Sequence, residues 1–105
     1  VYDELIYVAK SENRDDPRLK RFIAAVEEAT IYLTNHPEAA LATFMSSHAD
    51  LDNELNRQAF AATLPRFAKR PGALDIERYN RFANFLKERN LISAVPELST
   101  YAIQP

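Results

Sequence analysis

Six prolines divide this chain of 105 residues into short segments, and they constrain its fold more than any other feature. Pro17 follows Asp16, whose side chain can cap a helix, and proline is well tolerated at the first helical position. Pro37 disfavours helical backbone at His36, so the first predicted helix ends near Asn35. The prolines therefore predict several short elements, each with its own beginning and end.

Apolar residues between these breaks recur every three or four positions, which is the spacing of one helix face. The predicted inward faces are Leu19, Phe22, Ile23, Val26, Ala29, Thr30 and Leu33 on a first helix, Leu41, Phe44, Met45 and His48 on a second, Leu55, Ala59, Phe60, Thr63 and Leu64 on a third, and Tyr79, Phe82, Ala83 and Leu86 on a fourth. Asp50 and Asp75 are the expected N-caps of the last two helices. The third helix should stop or kink at Pro65, and the fourth should end near Asn90, which tolerates left-handed backbone.

One segment ahead of these helices has a different pattern. Leu5-Ile6-Tyr7-Val8-Ala9 is continuously apolar, β-branched and aromatic, which is typical of a short buried strand. A lone strand cannot satisfy its own backbone groups, so its sheet would lie outside these residues or in the tail after Asn90. We therefore expect a mainly α fold, four helices preceded by one short strand, in a single region over residues 1–105.

Composition excludes several classes of function. The net charge is −2 and basic residues are interspersed with acidic ones, which disfavours nucleic-acid binding. The absence of cysteine excludes disulfides, thiolate nucleophiles and zinc–thiolate sites. Gly72 is the single glycine, so a glycine-rich phosphate-binding loop is excluded. No apolar run in the sequence approaches the roughly 20 residues that a membrane span requires.

Several runs, taken in order, resemble a known family. They are Val1 to Ala9, Asp16-Pro17-Arg18, Phe22 to Glu27, Tyr32-Leu33-Thr34-Asn35-His36-Pro37-Glu38-Ala39, Asp50-Leu51-Asp52-Asn53-Glu54-Leu55-Asn56-Arg57, Thr63-Leu64-Pro65-Arg66-Phe67 and Arg78-Tyr79-Asn80-Arg81-Phe82. Together they resemble the C-terminal part of ABC-transporter solute-binding proteins, in particular the ThiY-type group that binds thiamine-pyrimidine precursors. The later runs are more specific than the Asn-His-Pro-Glu turn, which occurs in many solute-binding proteins.

The resemblance implies a C-terminal fragment of a two-lobed α/β periplasmic-binding-protein fold, without its N-terminal lobe. It implies binding without catalysis and without a cofactor, with a formyl-aminopyrimidine or hydroxymethylpyrimidine as ligand and an ABC permease as partner. The implied location is the periplasm, or the exported, lipid-anchored state in a Gram-positive cell, with the signal peptide outside this chain. Two alternatives stay open: a free-standing helical interaction domain that pairs its Tyr2–Ala9 strand with a partner, and a fragment of a pyrimidine-synthase-type enzyme.

By the same resemblance, Tyr2, Asp3 and Glu4 are the predicted ligand-binding residues, placed where the chain crosses between lobes. A carboxylate can accept two parallel hydrogen bonds from the amine and the protonated ring nitrogen of an aminopyrimidine. A neighbouring tyrosine can stack on the flat ring. The alternative is that these three residues are only the exposed start of a strand.

The other polar clusters are predicted to have structural roles. His36 should lie at a helix end and His48 at the edge of a core face, and no catalytic or metal-binding residue is predicted. Asp50, Asp52 and Glu54 should be acids at the N-terminus of the third helix, with Asp50 as its cap and the other two in its first turn.

Two surface features complete the predictions. Arg66, Lys69 and Arg70 should compensate a helix C-terminus, with docking to a permease as the alternative. Phe85 falls outside its helix's core stripe, so the chain alone is expected to form a homodimer that buries such surface.

Overall fold

A computed structural model describes residues 2–3 and 5–105, and it contains four α-helices. Helix α1 spans Pro17–Asn35, α2 Pro37–Ser47, α3 Glu54–Thr63 and α4 Ile76–Glu88. Short 3-10 turns occupy Ser11–Asn13, Ala49–Leu51, Leu64–Arg66 and Leu98–Thr100. Within the described ranges there is no β-strand, so the predicted mainly α class with four helices is confirmed.

The predicted strand over Leu5–Ala9 is absent, and that part of the prediction is wrong for this chain. The segment is irregular and exposed, with Leu5 93% and Val8 85% accessible. The physical reason is that a strand forms only against another strand, and residues 2–3 and 5–105 offer none. The tail after α4 is irregular apart from one 3-10 turn, so it does not supply the pairing.

The boundaries of α1 and α2 agree with the proline pattern. The Asp16 carboxylate accepts a hydrogen bond from the backbone N–H of Arg18 at 2.9 Å, which caps α1. The helix ends at Asn35, and α2 begins at Pro37 with no intervening loop beyond His36. Proline has no backbone N–H, and at the first helical position that N–H would lack an intrahelical partner, so proline is tolerated there.

The N-cap of α3 was predicted at the wrong residue. The Asn53 side chain accepts the hydrogen bond from the backbone N–H of Asn56 at 2.9 Å, whereas Asp50 lies in the separate turn Ala49–Leu51. The side chains of Asp and Asn cap equally well, so chemistry alone did not select between them. At the other end, α3 stops at Thr63 and Pro65 lies in a 3-10 turn, as predicted.

Helix α4 has both of its predicted caps. The Asp75 carboxylate accepts a hydrogen bond from the backbone N–H of Arg78 at 3.0 Å. After the helix, Asn90 adopts left-handed backbone with φ of 58°, and the N–H of Leu91 donates to the carbonyl of Leu86 at 2.9 Å. This is the Schellman arrangement, which satisfies carbonyls that the helix end would otherwise leave free.

The chain forms two compact units. The central unit, Arg21–Pro71, has Met45 of α2 as its buried residue, 7% exposed. The terminal unit, Val1–Lys20 with Gly72–Pro105, has Ala83 of α4 buried, 6% exposed, on the predicted inward face of that helix. These two are the buried hydrophobic residues of the described chain.

Several residues assigned to inward faces are exposed instead. On the first three helices these are Phe22, Ala29, Phe44, His48, Leu55, Ala59 and Thr63. Helical spacing says which residues share a face, but what covers that face depends on tertiary packing. Of the described helices, none combines the length and the apolarity needed to cross a bilayer.

Candidate functional site

A cavity of about 350 Å³ lies within the terminal unit, and we call it the α4 cavity. Its lining comes from the N-terminal segment (Tyr2, Asp3 and Ile6), from α4 (Arg78, Tyr79, Phe82, Ala83 and Leu86) and from the tail (Ile92, Pro96 and Tyr101). The volume is at the lower end of the range of about 300–1,000 Å³ for small-molecule sites. A mostly apolar lining with a few polar groups is also typical of such sites.

Two of the three predicted ligand-binding residues line the α4 cavity. Tyr2 and Asp3 are both there, and Glu4 lies outside the described residues. The grouping of Tyr2 and Asp3 with residues of α4 was not predicted. Their role in binding a ligand stays a prediction.

Aromatic rings are stacked in series along α4. The Tyr2 and Phe82 rings have centroids 4.6 Å apart and planes inclined by 11°. The ring centroids of Phe82 and Phe85 are 6.4 Å apart, and the Arg89 guanidinium lies 5.4 Å from the centroid of the Phe85 ring. Phe85 is exposed, as its place outside the core stripe predicted. The series brings flat aromatic surface to the cavity at Tyr2 and Phe82.

Among the described lining residues, the charged ones are Asp3 and Arg78, and they form an ion pair. Arg78 Nη1 donates to Asp3 Oδ1 at 2.8 Å. Arg78 Nε lies 3.6 Å from Asp75 Oδ2, too far for a normal hydrogen bond. The hydrogen bond to Asp3 is the main cause that raises the pKa of Arg78, so the guanidinium stays charged. Sequence reasoning missed Arg78, because nothing in its local pattern placed it near Asp3.

Tyr79 adds a hydroxyl to the same polar corner. Burial raises the pKa of Tyr79, and the negative charge of Asp3 and hydrogen bonding to it raise the pKa further. The phenol therefore stays protonated at neutral pH. Asp3 is thus in contact with two donors from α4, one charged and one neutral.

The two histidines lie outside the cavity lining. Each contacts an aromatic side chain of the helix that precedes it. The His36 ring is 5.0 Å from the Tyr32 ring, at the end of α1 as predicted. The His48 ring stacks on Phe44 at 4.6 Å, and its Nδ1 lies 3.1 Å from the Phe44 carbonyl oxygen. His48 is exposed and follows α2, so its predicted place at the edge of a core face is wrong. Among the described residues, no group of three or more acidic or histidine side chains could hold a metal ion.

The acidic run was predicted to supply the cap of α3 and two acids of its first turn, and only Glu54 takes its predicted place. Asp50 is in the turn before α3, Asp52 pairs with Arg57, and Glu54 is the first residue of α3. Only Glu54 therefore lies in the first turn of the helix.

The basic cluster follows α3. The Arg66 side chain donates to the carbonyl oxygen of Ala62, which compensates that helix end as predicted.

Comparison with known proteins gives one informative relative. No protein-family model matches the chain, and no solved structure matches it. Over 105 residues, 99% of this chain, the sequence is 38% identical to a protein of Haemophilus influenzae named "Putative thiamine biosynthesis protein". The chain is similar to a thiamine-related protein. It spans only 33% of that relative's length, so the similarity supports the thiamine part of the resemblance and leaves the transport function as a proposal.

Proposed function

We propose that this chain is the C-terminal region of a solute-binding protein that binds a thiamine pyrimidine precursor for an ABC importer, without catalysis. The observation that carries the proposal is the α4 cavity, where Tyr2 and Asp3 meet Phe82 in an apolar, ring-sized space. The similarity along 99% of the chain to a protein named for thiamine biosynthesis supports the ligand class.

An aminopyrimidine suits the cavity in size and in polarity. One heteroaromatic ring with short substituents fits a volume of about 350 Å³. Its aromatic ring matches the aromatic lining that Tyr2 and Phe82 provide, and its amine with a protonated ring nitrogen matches the Asp3 carboxylate.

The partner and the location follow from the proposed importer role. The binding protein delivers its pyrimidine to an ABC permease, in the periplasm or at the outer face of a Gram-positive membrane. The exposed residues Arg66, Lys69 and Arg70 are the proposed docking patch, since cations speed encounter with an acidic partner surface. Substituting all three with glutamine should then slow permease-dependent uptake and leave pyrimidine affinity unchanged.

Calorimetry with the full-length natural protein and a panel of pyrimidines tests the binding function. Asp3→Asn should weaken binding of 4-aminopyrimidines at least about tenfold, because a neutral amide cannot accept two charge-assisted hydrogen bonds. Asp15→Asn is the matched control, since Asp15 is exposed and does not line the cavity. The proposal fails if no pyrimidine binds, or if Asp3→Asn binds as tightly as the natural protein.

A second function is favoured by the exposed segment Leu5–Val8. Its apolar, β-branched side chains are accessible, which suits addition as a strand to the sheet edge of a partner. Hydrogen exchange in the natural full-length protein tests this. Amides of residues 5–9 that exchange as fast as in a free peptide would exclude the pairing, and slow exchange only with a partner present would support it.

A further inference from the structure

Arg78 lies between two carboxylates of the terminal unit, and it makes a full hydrogen bond with only one of them. Its Nη1 is 2.8 Å from Asp3 Oδ1, and its Nε is 3.6 Å from Asp75 Oδ2. The Nε atom is buried, and within the described structure it has no hydrogen-bond partner. Leaving a buried donor unpaired is unfavourable, so a small shift of the guanidinium toward Asp75 would satisfy it.

The Asp3–Arg78 pair competes with the proposed ligand. The edge of a protonated aminopyrimidine presents two parallel N–H donors, and so does a guanidinium. Either group can therefore donate to the same carboxylate. A ligand that uses the Asp3 carboxylate therefore has to displace Arg78, or share the oxygens with it.

We propose that Arg78 is a displaceable counter-ion of Asp3 and determines which ligands the α4 cavity accepts. This inference rests on the proposed binding function. In the empty cavity Arg78 neutralises Asp3, and when a cationic donor edge binds Asp3, Arg78 moves to Asp75. A ligand without that donor edge leaves the ion pair in place and gains nothing from Asp3.

The exposure of the pair makes the exchange feasible. The side chains of Arg78 and Asp3 are 37% and 36% exposed, so the pair is well hydrated. For ion pairs this exposed, the paired state is favoured over the separated state by a factor of only about 1.5 to 5. Asp75 can serve as the counter-ion of the displaced guanidinium, because Asp75 Oδ2 already lies 3.6 Å from Arg78 Nε.

Substitutions at the two ends of this movement should have opposite effects. Arg78→Gln removes the competitor, so affinity for a 4-aminopyrimidine should rise by about two- to fivefold. Asp75→Asn removes the charge that receives Arg78, so affinity should fall by a similar factor. Asparagine caps helices as well as aspartate does, so α4 should keep its start. A residue with a purely structural role would not produce this pair of opposite shifts.

The experiment is calorimetry of the full-length natural protein with 4-aminopyrimidine and with pyrimidine, which lacks the amine. Arg81→Gln is the control, because Arg81 is on the same helix, pairs with Glu77 at 3.6 Å and does not line the cavity. Compared with the natural protein, we expect Arg78→Gln to bind 4-aminopyrimidine more tightly, Asp75→Asn to bind it more weakly and Arg81→Gln to bind it equally well. Slower exchange of the Arg78 Nε–H on ligand addition, followed by nitrogen NMR, should report the new contact with Asp75.

Two different results would overturn the inference. If the natural protein binds 4-aminopyrimidine but Arg78→Gln binds it equally or more weakly, Arg78 is not a competitor, and the binding function stands. If the natural protein binds neither compound nor any other pyrimidine, the binding function fails and this inference fails with it.

Discussion

The rings of Tyr2 and Phe82 lie face to face, with centroids 4.6 Å apart, although the two residues are far apart in the chain. Tyr2 belongs to an irregular segment with no hydrogen-bonded ladder to hold it. The stack and the neighbouring Asp3–Arg78 ion pair hold the start of this segment against α4. The positions of Tyr2 and Asp3, two of the three predicted ligand-binding residues, therefore depend on packing by α4.

Loss of the Tyr2 ring should destabilise the terminal unit. Tyr2→Ala removes the stack on Phe82, and we expect a loss of about 0.5–1.5 kcal/mol in the free energy of unfolding. Tyr2→Phe keeps the ring and should behave like the natural chain. Urea unfolding followed by circular dichroism measures both. Equal stability of the alanine and phenylalanine variants would show that the stack contributes nothing.

At the left-handed position after α4, substitution by glycine and by alanine should have different effects on stability. Asn90 has φ of 58°, a region that a β-carbon disfavours and glycine adopts freely. Asn90→Ala should cost about 1 kcal/mol of stability, whereas Asn90→Gly should be neutral or slightly stabilising. Thermal unfolding of the two variants side by side tests this, and the reverse order would contradict the assigned cap.

The start of α4 should depend on the capping oxygen of Asp75 more than on its charge. Asp75→Ala removes the acceptor for the Arg78 N–H and should cost about 1 kcal/mol. Asp75→Asn keeps an acceptor and should cost much less. The helical circular dichroism signal and the urea midpoint measure the difference, and similar losses in both variants would count against a capping role.

The cap of α1 should make stability depend on acidic pH. Hydrogen bonds from the Arg18 side chain and backbone lower the pKa of Asp16 from 3.8 to about 2. Because the folded-state pKa is depressed, this contribution is complete above about pH 4 and is lost as pH falls toward 2. Asp16→Asn should remove this part of the acid dependence, whereas Asp15→Asn, which does not cap α1, should retain it. Unfolding measured from pH 5 to pH 2 gives the comparison.

The exposed apolar residues should cause the isolated chain to associate. Leu5, Val8 and Leu55 are at least three-quarters exposed, at 93%, 85% and 75%. Apolar surface of this kind favours dimers that bury it. Size-exclusion chromatography with light scattering should show a dimer at high concentration, and Leu5→Lys with Val8→Lys should weaken it. A monomer at every concentration would contradict this expectation.

The sequence-based predictions succeeded where an element is governed by its own residues. The Asp16–Pro17 pair starts α1, Pro37 starts α2, and Asn90 terminates α4, because caps and proline act through backbone chemistry within one turn. The predictions failed where two neighbouring residues offered the same chemistry. Asn53 took the capping role assigned to Asp50, since either side chain can accept that hydrogen bond.

The candidate site was predictable only in part. Tyr2 and Asp3 were named through the resemblance, and the structure brings them into one cavity. The sequence places Arg78 and Tyr79 on a helix but not at the site, and their contact with Asp3 crosses most of the chain's length. No local pattern encodes such a contact.

By itself, the sequence determined the mainly α class, the limits of α1 and α4, the start of α2 and the inward face of α4, because these depend on interactions between residues close in the chain. Tertiary structure alone decided the rest. It left Leu5–Ala9 without a strand, since strands require a partner, and it exposed Leu55, since burial requires a covering surface. It also joined Asp3 to Arg78, because an ion pair between distant residues exists only after the chain has packed.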